Sequence, residues 1–211
     1  LETAPMRTWK AARACEVREI PTANVYALLL DTGVLPAKGV VFMEWIEGAR
    51  MLHHLSRADP PLPPASRRRL ARDLGALMGR FHRLGLKHSD LAGQNVLCRP
   101  EADGCDGRRG WKLWIVDLDD VLVGAMTRAE TLRALVHLGD QPMATRSDRL
   151  RFFRAYLNAG GREVLGSELA LYGVRQLGQL VGSGILARAR ARTTRRANRD
   201  GPPRPPSLDA L

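Results

Sequence analysis

The chain has 211 residues, 45% of them hydrophobic, which is enough to form one domain with a sizeable core. Its formal net charge of +11 favours anionic partners such as nucleic acid, anionic lipid headgroups or phosphorylated glycans, without choosing among them. Its three cysteines lack paired spacing, which argues against a disulfide framework and a zinc site. No apolar run suits a membrane-spanning helix or a secretory signal, so we expect a globular, cytoplasmic protein.

The amino-terminal segment has a helical pattern. Apolar residues recur at helical spacing within residues 6–18, and Pro21 excludes a longer helix because the residue before a proline disfavours helical geometry. The chain starts with Leu1 rather than Met, and no compact beginning of a fold is evident before Trp9. We therefore expect the chain to be the C-terminal portion of a longer protein.

Two short apolar runs follow. Residues 25–30 and 40–43 flank a turn at Gly33 and predict a strand hairpin. The second run continues into Glu-Trp-Ile-Glu-Gly at residues 44–48. Local sequence favours a strand end with a glycine turn there; the alternative is a kinase-type hinge whose backbone binds an adenine ring.

The middle of the chain predicts a core helix. Residues 51–55 suit a short helix, and the prolines of residues 58–64 interrupt helical structure. Ser66 is a candidate N-cap for a helix that continues through Leu84 and ends at Gly85. One face of this helix is apolar and is formed by Leu70, Leu74, Leu77, Met78, Phe81 and Leu84. We also expect the four tryptophans to be packing residues, namely Trp9, Trp45, Trp111 and Trp114.

Beyond this helix, residues 95–98 and 111–116 read as two strands joined by a polar turn over residues 99–110. This pairing would bring Asn95 and Asp117 to neighbouring strand ends.

The last third of the chain is mainly helical by pattern. We predict helices over residues 127–138 and 146–158, and one or two more over residues 165–189. The apolar stripe of the second helix consists of Leu150, Phe153 and Leu157. Residues 188–204 contain seven arginines and predict a disordered tail, because little apolar surface is available for burial.

Two polar motifs point to phosphoryl transfer. Asp90 and Asn95 lie within a His-x-Asp-Leu-x-x-x-Asn pattern that begins at His88, and Asp117 follows a buried strand. Such a reaction needs a carboxylate near the attacking hydroxyl and oxygen ligands that hold Mg²⁺ against the phosphates. The alternative roles are a turn-capping Asp90, an ordinary turn at Asn95 and a His88 that only braces the loop. The cluster of Asp117, Asp119 and Asp120 would repel itself unless a cation or basic groups neutralised it.

Residues 88–97 (His-Ser-Asp-Leu-Ala-Gly-Gln-Asn-Val-Leu) and residues 115–119 (Ile-Val-Asp-Leu-Asp) resemble the lipopolysaccharide core kinases, the bacterial enzymes that phosphorylate Kdo or heptose. Residues 7–9 and 149–157 are also similar to that family, so the resemblance spans roughly residues 7–157. The Asp-Leu-x-x-x-Asn core by itself is also similar to aminoglycoside and choline phosphotransferases, so it specifies the superfamily better than the substrate.

The resemblance implies an α+β, protein-kinase-like fold, mainly the helical C-terminal lobe with an incomplete N-terminal lobe. We expect a partial N-lobe over residues 1–47, the helical C-lobe over 48–187 and a basic tail over 188–211. ATP and Mg²⁺ would be the cofactors. The implied roles are catalysis for Asp90 with His88 beside it, Mg²⁺ binding for Asn95 and Asp117, and adenine binding for Glu44, Trp45 and Ile46.

By the same resemblance, the acceptor would be a sugar hydroxyl of a lipid-linked glycan at the cytoplasmic membrane face, where a basic surface attracts anionic lipid. The chain departs from the kinase pattern in one important respect. No glycine-rich loop and no strand lysine precede the first helix, and Thr8 stands where the glutamate partner of that lysine is expected. A nucleotide-binding pseudokinase and a basic nucleic-acid-binding protein therefore remain alternatives.

Overall fold

The computed structural model describes residues 2–31, 33, 38–101, 110–139 and 145–166. Within these ranges the fold is α+β. The helices are α1 Ala4–Val17, α2 Leu52–Leu55, α3 Pro64–Arg83, α4 Arg128–Gly139, α5 Arg146–Tyr156 and α6 Arg162–Leu165. The strands are β1 Val25–Leu30, β2 Gly39–Met43, β3 Arg50–Met51, β4 Leu86–His88, β5 Val96–Pro100, β6 Trp111–Ile115 and β7 Val121–Val123. The predicted helix at residues 165–189 and the basic tail lie almost entirely outside the described ranges.

The amino-terminal part consists of α1 and a two-stranded sheet. β1 and β2 pair in antiparallel register, as the hairpin pattern predicted. One face of the pair is largely solvent-exposed although it is apolar, and it carries Leu29, Val40 and Phe42. Helix α1 buries Ala11, Ala12 and Cys15 in the main core.

The central helix is α3, which buries the apolar face expected from the sequence: Leu70, Leu74, Leu77, Met78 and Phe81. The prediction of Ser66 as N-cap was wrong, because the helix begins two residues earlier at Pro64. Proline suits the first helical turn, where a backbone N–H would have no intrahelical partner. The helix ends before Gly85, which has a φ of +69° and so adopts the left-handed conformation favoured by glycine.

Helices α3 and α5 pack very closely. A Cβ atom on Gly75 would overlap the carbonyl oxygen of Phe152, and one on Gly79 would overlap the carbonyl oxygen of Tyr156. Beside this contact, buried His82 is 3.1 Å from the Tyr156 hydroxyl through Nδ1. Burial lowers the pKa of His82 to about 4, so at neutral pH it is an uncharged packing residue.

Short strands connect α3 to the polar motifs. β5 pairs with β6 as predicted, and β3 adds to the other edge of β5. β4 pairs with β7, so that His88 lies opposite Val121. The sequence did not predict β3, β4 or β7, which are two or three residues long and carry no readable alternation.

Two predictions about burial were wrong. Leu150 is 53% exposed, because α5 instead turns Asp148 inward, where its carboxylate binds Arg67 at 2.7 Å. Trp45 is 89% exposed and is not a packing residue. Trp114 is buried, as expected. Among the described residues, no helix combines the length and apolar character needed to cross a membrane.

The close approach of α3 and α5 predicts that Gly79→Ala destabilises the protein. Alanine has the higher helix propensity by about 1 kcal/mol, but overpacking against the Tyr156 carbonyl costs about 1–3 kcal/mol. Urea unfolding should therefore show a net loss of stability. The control is Ala76→Gly on the same helix, which should cost about 0.5–1 kcal/mol through propensity alone. A Gly79→Ala variant as stable as the parent would contradict the packing described.

Candidate active site

The imidazole of His88 connects the two polar motifs. Its Nδ1 accepts a hydrogen bond from the Asp90 backbone N–H at 3.2 Å, and its Nε2 donates to the Val116 carbonyl at 3.1 Å. Since Nδ1 acts as the acceptor, the proton sits on Nε2 and the ring is neutral. His88 is buried at the end of β4. These contacts suit a bracing residue rather than one that exchanges protons with a substrate.

The backbone around Asp90 is held by the residues that follow it. Its carbonyl accepts hydrogen bonds from the Ala92 N–H and from Nδ2 of Asn95, both at 2.8 Å. Asn95 is buried in the helical turn Gly93–Asn95, while the Asp90 side chain remains 47% exposed. The carboxylate is therefore accessible to a substrate, and the amide oxygen of Asn95 is the end left for a cation.

Asn95 and Asp117 lie on adjacent segments. The Val116 N–H donates to the Asn95 carbonyl at 3.1 Å, and Asp117 follows at once. Asp117 has a φ of +63°, a left-handed conformation that aspartate tolerates better than most residues. Partial burial, followed by the nearby Asp119 and Asp120 carboxylates, raises the pKa of Asp117. We call residues 117–120 the acidic turn. A cation bound there would relieve the repulsion among its three carboxylates.

Ser89 provides a second connection between the two segments. Its N–H donates to the Asp120 carbonyl at 3.0 Å, and its hydroxyl donates to Oδ1 of Asp120 at 2.7 Å. Residues 88–95 and the acidic turn are therefore held together by hydrogen bonds at His88, Ser89 and Asn95. Their separation cannot change without breaking several of these bonds.

Arg7 is a functional candidate that the sequence did not single out. Its Nη2 lies 3.2 Å from Oδ2 of Asp119, and its Nε donates to the Asp119 carbonyl at 3.2 Å. This guanidinium supplies positive charge to the acidic turn from α1. Arg7 lies in a segment that resembles the kinase family, but a partner 112 positions away gives no local sequence signal.

Asn95 and Asp117 carry oxygen donors of the kind that Mg²⁺ binds. The described part of the chain contains no cluster of three or more His, Cys, Asp or Glu side chains suited to a metal. A dedicated all-protein cage is therefore not present there. Magnesium in phosphoryl-transfer sites commonly uses one or two protein oxygens together with phosphate oxygens and water. One carboxylate, Asp117, and one amide oxygen, Asn95, match that pattern.

The predicted hinge has the geometry of a strand end and turn. The Glu44 N–H donates to the Asn24 carbonyl at 2.8 Å, and the Glu44 carboxylate accepts from Nδ2 of Asn24 at 2.7 Å. The Ile46 carbonyl accepts from the Ala49 N–H at 3.3 Å. The side chain and N–H of Glu44 are thus already engaged. An adenine contact here would use the remaining backbone groups.

The model of the lipopolysaccharide kinase (Kdo/WaaP) family matches residues 2–156. The chain belongs to this family. The resemblance seen in the sequence is thereby confirmed. A 3-deoxy-D-manno-octulosonic acid kinase of Stenotrophomonas maltophilia is 28% identical over 169 residues, covering 76% of this chain and 62% of that protein. The chain thus spans less than two thirds of this curated relative.

The chain is also similar to two further proteins. The EKC/KEOPS complex subunit BUD32 of Chaetomium globosum is 31% identical over 129 residues, covering 54% of this chain and 46% of that protein. A solved structure of WaaP in complex with acyl carrier protein matches with a TM-score of 0.61 and 24% identity, over 82% of this chain and 75% of that chain. This likeness confirms the protein-kinase-like fold.

Arg7 should stabilise the acidic turn, and Arg7→Met tests this contribution. We expect a loss of about 1 kcal/mol or less, because the ion pair is partly exposed. The loss should shrink in 1 M KCl, where screening weakens the repulsion among the remaining carboxylates. The control is Lys10→Met, which removes the exposed Lys10–Glu2 pair from the same helix. Thermal unfolding at both salt concentrations measures the effect; equal, salt-independent losses in the two variants would refute it.

Proposed function

We propose that this protein is an ATP- and Mg²⁺-dependent kinase that phosphorylates a sugar hydroxyl of a lipid-linked glycan. The observation that carries the proposal is the accessible Asp90 carboxylate, on a backbone that His88 and Asn95 connect directly to the Asp117 turn. Membership of the Kdo/WaaP family supports the reaction type. The curated relative named as a kinase of 3-deoxy-D-manno-octulosonic acid supports a sugar acceptor.

The mechanism would rest on positioning and charge neutralisation. Asp90 would orient the acceptor hydroxyl and accept its proton. Oδ1 of Asn95 and the Asp117 carboxylate would hold Mg²⁺, which neutralises phosphate charge when bound. His88 would fix the distance between the base and these ligands and would not itself transfer a proton. Arg7 would keep Asp119 in place beside them.

Adenine binding is assigned by the same proposal to the segment of Glu44, Trp45 and Ile46. Gly48, with a φ of +70°, turns the chain away just after this segment. The boundary between the smaller and larger lobes would lie there, at residues 47–48. One continuous core nevertheless packs residues of α1 and β1 against α3, so the two parts are not independent.

The phosphate-gripping lysine would come from a segment outside these 211 residues. All four lysines fall within the described ranges. Lys10 pairs with Glu2, Lys87 pairs with Glu130, Lys112 lies over the Trp114 ring, and Lys38 is exposed beside the hairpin turn. The exposed apolar face of β1 and β2 is a surface on which further strands of the smaller lobe could pack.

Charge and family membership support a proposed acceptor and location. A net charge of +11 suits an anionic glycolipid and the anionic inner surface of the cytoplasmic membrane. We propose peripheral attachment there, in the cytoplasm, with no role in nucleic-acid binding. The arginine-rich tail would contribute to this attraction.

A nucleotide-binding pseudokinase is the second candidate. It is favoured by Thr8, which stands where an active kinase would have the glutamate partner of the lysine. Loss of one charge-stabilising group of this kind commonly costs a few kcal/mol of transition-state stabilisation. The two candidates differ in turnover, and both require the Asp117 turn to bind metal and nucleotide.

Asp90→Asn in the full-length protein should abolish phosphate transfer while Mg-ATP binding persists. Asparagine keeps the shape but cannot accept the hydroxyl proton, and loss of a general base typically lowers the rate 10²–10⁴-fold. Transfer of ³²P from ATP to purified lipopolysaccharide core oligosaccharide provides the assay. Exposed Asp59→Asn is the charge-matched control and should retain activity. Undiminished transfer by Asp90→Asn would reject this role; no transfer by the parent would favour the pseudokinase.

Asp117→Asn should remove the Mg²⁺-dependent part of stabilisation by ATP. A ligand at a hundredfold its Kd stabilises a protein by about 2.7 kcal/mol, which is visible as a raised Tm. Asp59→Asn again serves as control and should keep the full shift. A Mg²⁺-dependent shift unchanged in Asp117→Asn would rule out this ligand.

Without metal, the same Asp117→Asn variant should be more stable than the parent at neutral pH. The folded-state pKa of Asp117 is raised above its ordinary 3.8, so the ionised carboxylate opposes folding at neutral pH. Protonation of Asp117 removes this unfavourable charge. The stability advantage of the variant should therefore fade as the pH falls through that raised pKa. Thermal unfolding from pH 7 to pH 4 measures the trend. An advantage that grows toward acid pH would contradict it.

A further inference from the structure

The last turn of α4 brings a histidine to the Asp90 side chain. Nδ1 of His137 lies 3.4 Å from Oδ1 of Asp90, and the His137 side chain is only 17% exposed. The known similarity of the chain to kinases does not account for this contact. It joins the proposed catalytic carboxylate to a helix that follows the acidic turn in sequence.

The position of His137 is set by the packing of α4. Thr131, Leu135 and Leu138 form the buried side of the helix. An adjacent side carries Glu130 and His137, which are two turns apart and so point in similar directions. Glu130 binds Nζ of Lys87 at 3.0 Å. This side of α4 therefore lies along the chain from β4 to residues 88–95.

The contacts of Glu130 with Lys87 and of His137 with Asp90 can form at the same time. Seven helical residues from Glu130 to His137 rise about 10 Å, since each adds about 1.5 Å. Lys87 lies in β4, and Asp90 lies in the turn that directly follows this strand. The two pairs, Glu130 with Lys87 and His137 with Asp90, thus join the same side of α4 to neighbouring positions of one segment. The first pair holds the helix at the register that the second pair needs.

Asp90 needs such a contact because its other restraints act on the backbone. Its N–H binds His88, and its carbonyl binds Ala92 and Asn95. These bonds fix the Cα atom but leave rotation of the carboxylate undetermined. The imidazole beside Oδ1 favours one orientation of the carboxylate by electrostatic attraction. An ionised carboxylate has no proton of its own, so this attraction needs the proton on Nδ1 of His137.

We propose that His137 is a positioning residue for phosphate transfer, which orients Asp90 so that Oδ2 faces the acceptor hydroxyl. This inference rests on the proposed function. In the transfer, the acceptor oxygen bonds to the γ-phosphorus and its proton passes to Oδ2 of Asp90. The bond from the γ-phosphorus to the bridging oxygen breaks, and its electron pair leaves with ADP. His137 keeps its own proton throughout.

Two near-isosteric substitutions in the full-length protein separate hydrogen bonding from packing. His137→Asn places an amide N–H close to the position of Nδ1, whereas His137→Leu fills a similar volume without a donor. We expect kcat for ³²P transfer from Mg-ATP to core oligosaccharide to fall about tenfold to a hundredfold in His137→Leu, with KM nearly unchanged. His137→Asn should recover most of that loss. The control is Arg133→Leu on the exposed side of α4, which should keep parental kcat.

His137→Gln covers the case in which the leucine variant does not fold. The glutamine amide reaches toward the position of the histidine Nε2 rather than Nδ1. The kcat of this variant should therefore fall as in His137→Leu. Equal kcat in the asparagine and glutamine variants would overturn the proposal. An unchanged kcat with a raised KM would overturn it as well, because His137 would then bind the acceptor rather than orient Asp90.

A spectroscopic measurement separates failure of this inference from failure of the proposed function. The imidazole ¹⁵N shifts of His137 should report a protonated Nδ1, and they should change in Asp90→Asn but not in Asp59→Asn. If Asp90→Asn leaves the ¹⁵N shifts of His137 unchanged, the contact itself is refuted. Shifts that respond to Asp90→Asn in a protein that transfers no phosphate would leave the contact in place while rejecting both the kinase function and the positioning role of His137.

Discussion

The geometry of the candidate site depends on the neutral imidazole of His88. One ring nitrogen takes the N–H of Asp90 and the other gives its proton to the carbonyl of Val116, the residue before Asp117. Both bonds exist together only when the ring carries one proton. A doubly protonated ring would lose the bond from Asp90. The distance between the proposed base and the proposed metal ligand is thus set by a buried, uncharged side chain.

The charges near this ring differ in sign from the net charge of the chain. The acidic turn contains three carboxylates, and the whole chain has an excess of positive charge. Arg7 approaches the turn and pairs with Asp119. The turn therefore keeps some of the unfavourable repulsion that a divalent cation would relieve. General excess of arginine on the surface does not remove it, because exposed charges farther away than about 10 Å are largely screened.

The sequence predicted those features that depend on local spacing. The five-residue interval from Asp90 to Asn95 lies within one loop, and the apolar stripe of α3 lies within one helix, so both could be read directly. Tertiary pairing decided the rest. The contact of Arg7 with Asp119 joins distant segments, and the strand at β4 exists because it pairs with β7. Leu150 was wrongly predicted to be buried. Asp148 binds Arg67 and so turns a different face of α5 inward, which hydrophobic periodicity does not reveal.

Arg7 has a consequence for control of the site. Its guanidinium binds Asp119 only while α1 keeps its present rotation, so the orientation of the helix and the state of the acidic turn form one coupled equilibrium. Coupling of this kind is reciprocal: a factor by which helix orientation changes metal affinity is also the factor by which bound metal shifts the helix. A partner that binds the outer surface of α1 would therefore act on the turn in part through this side chain, beside the wider packing of α1 against residues 118–120.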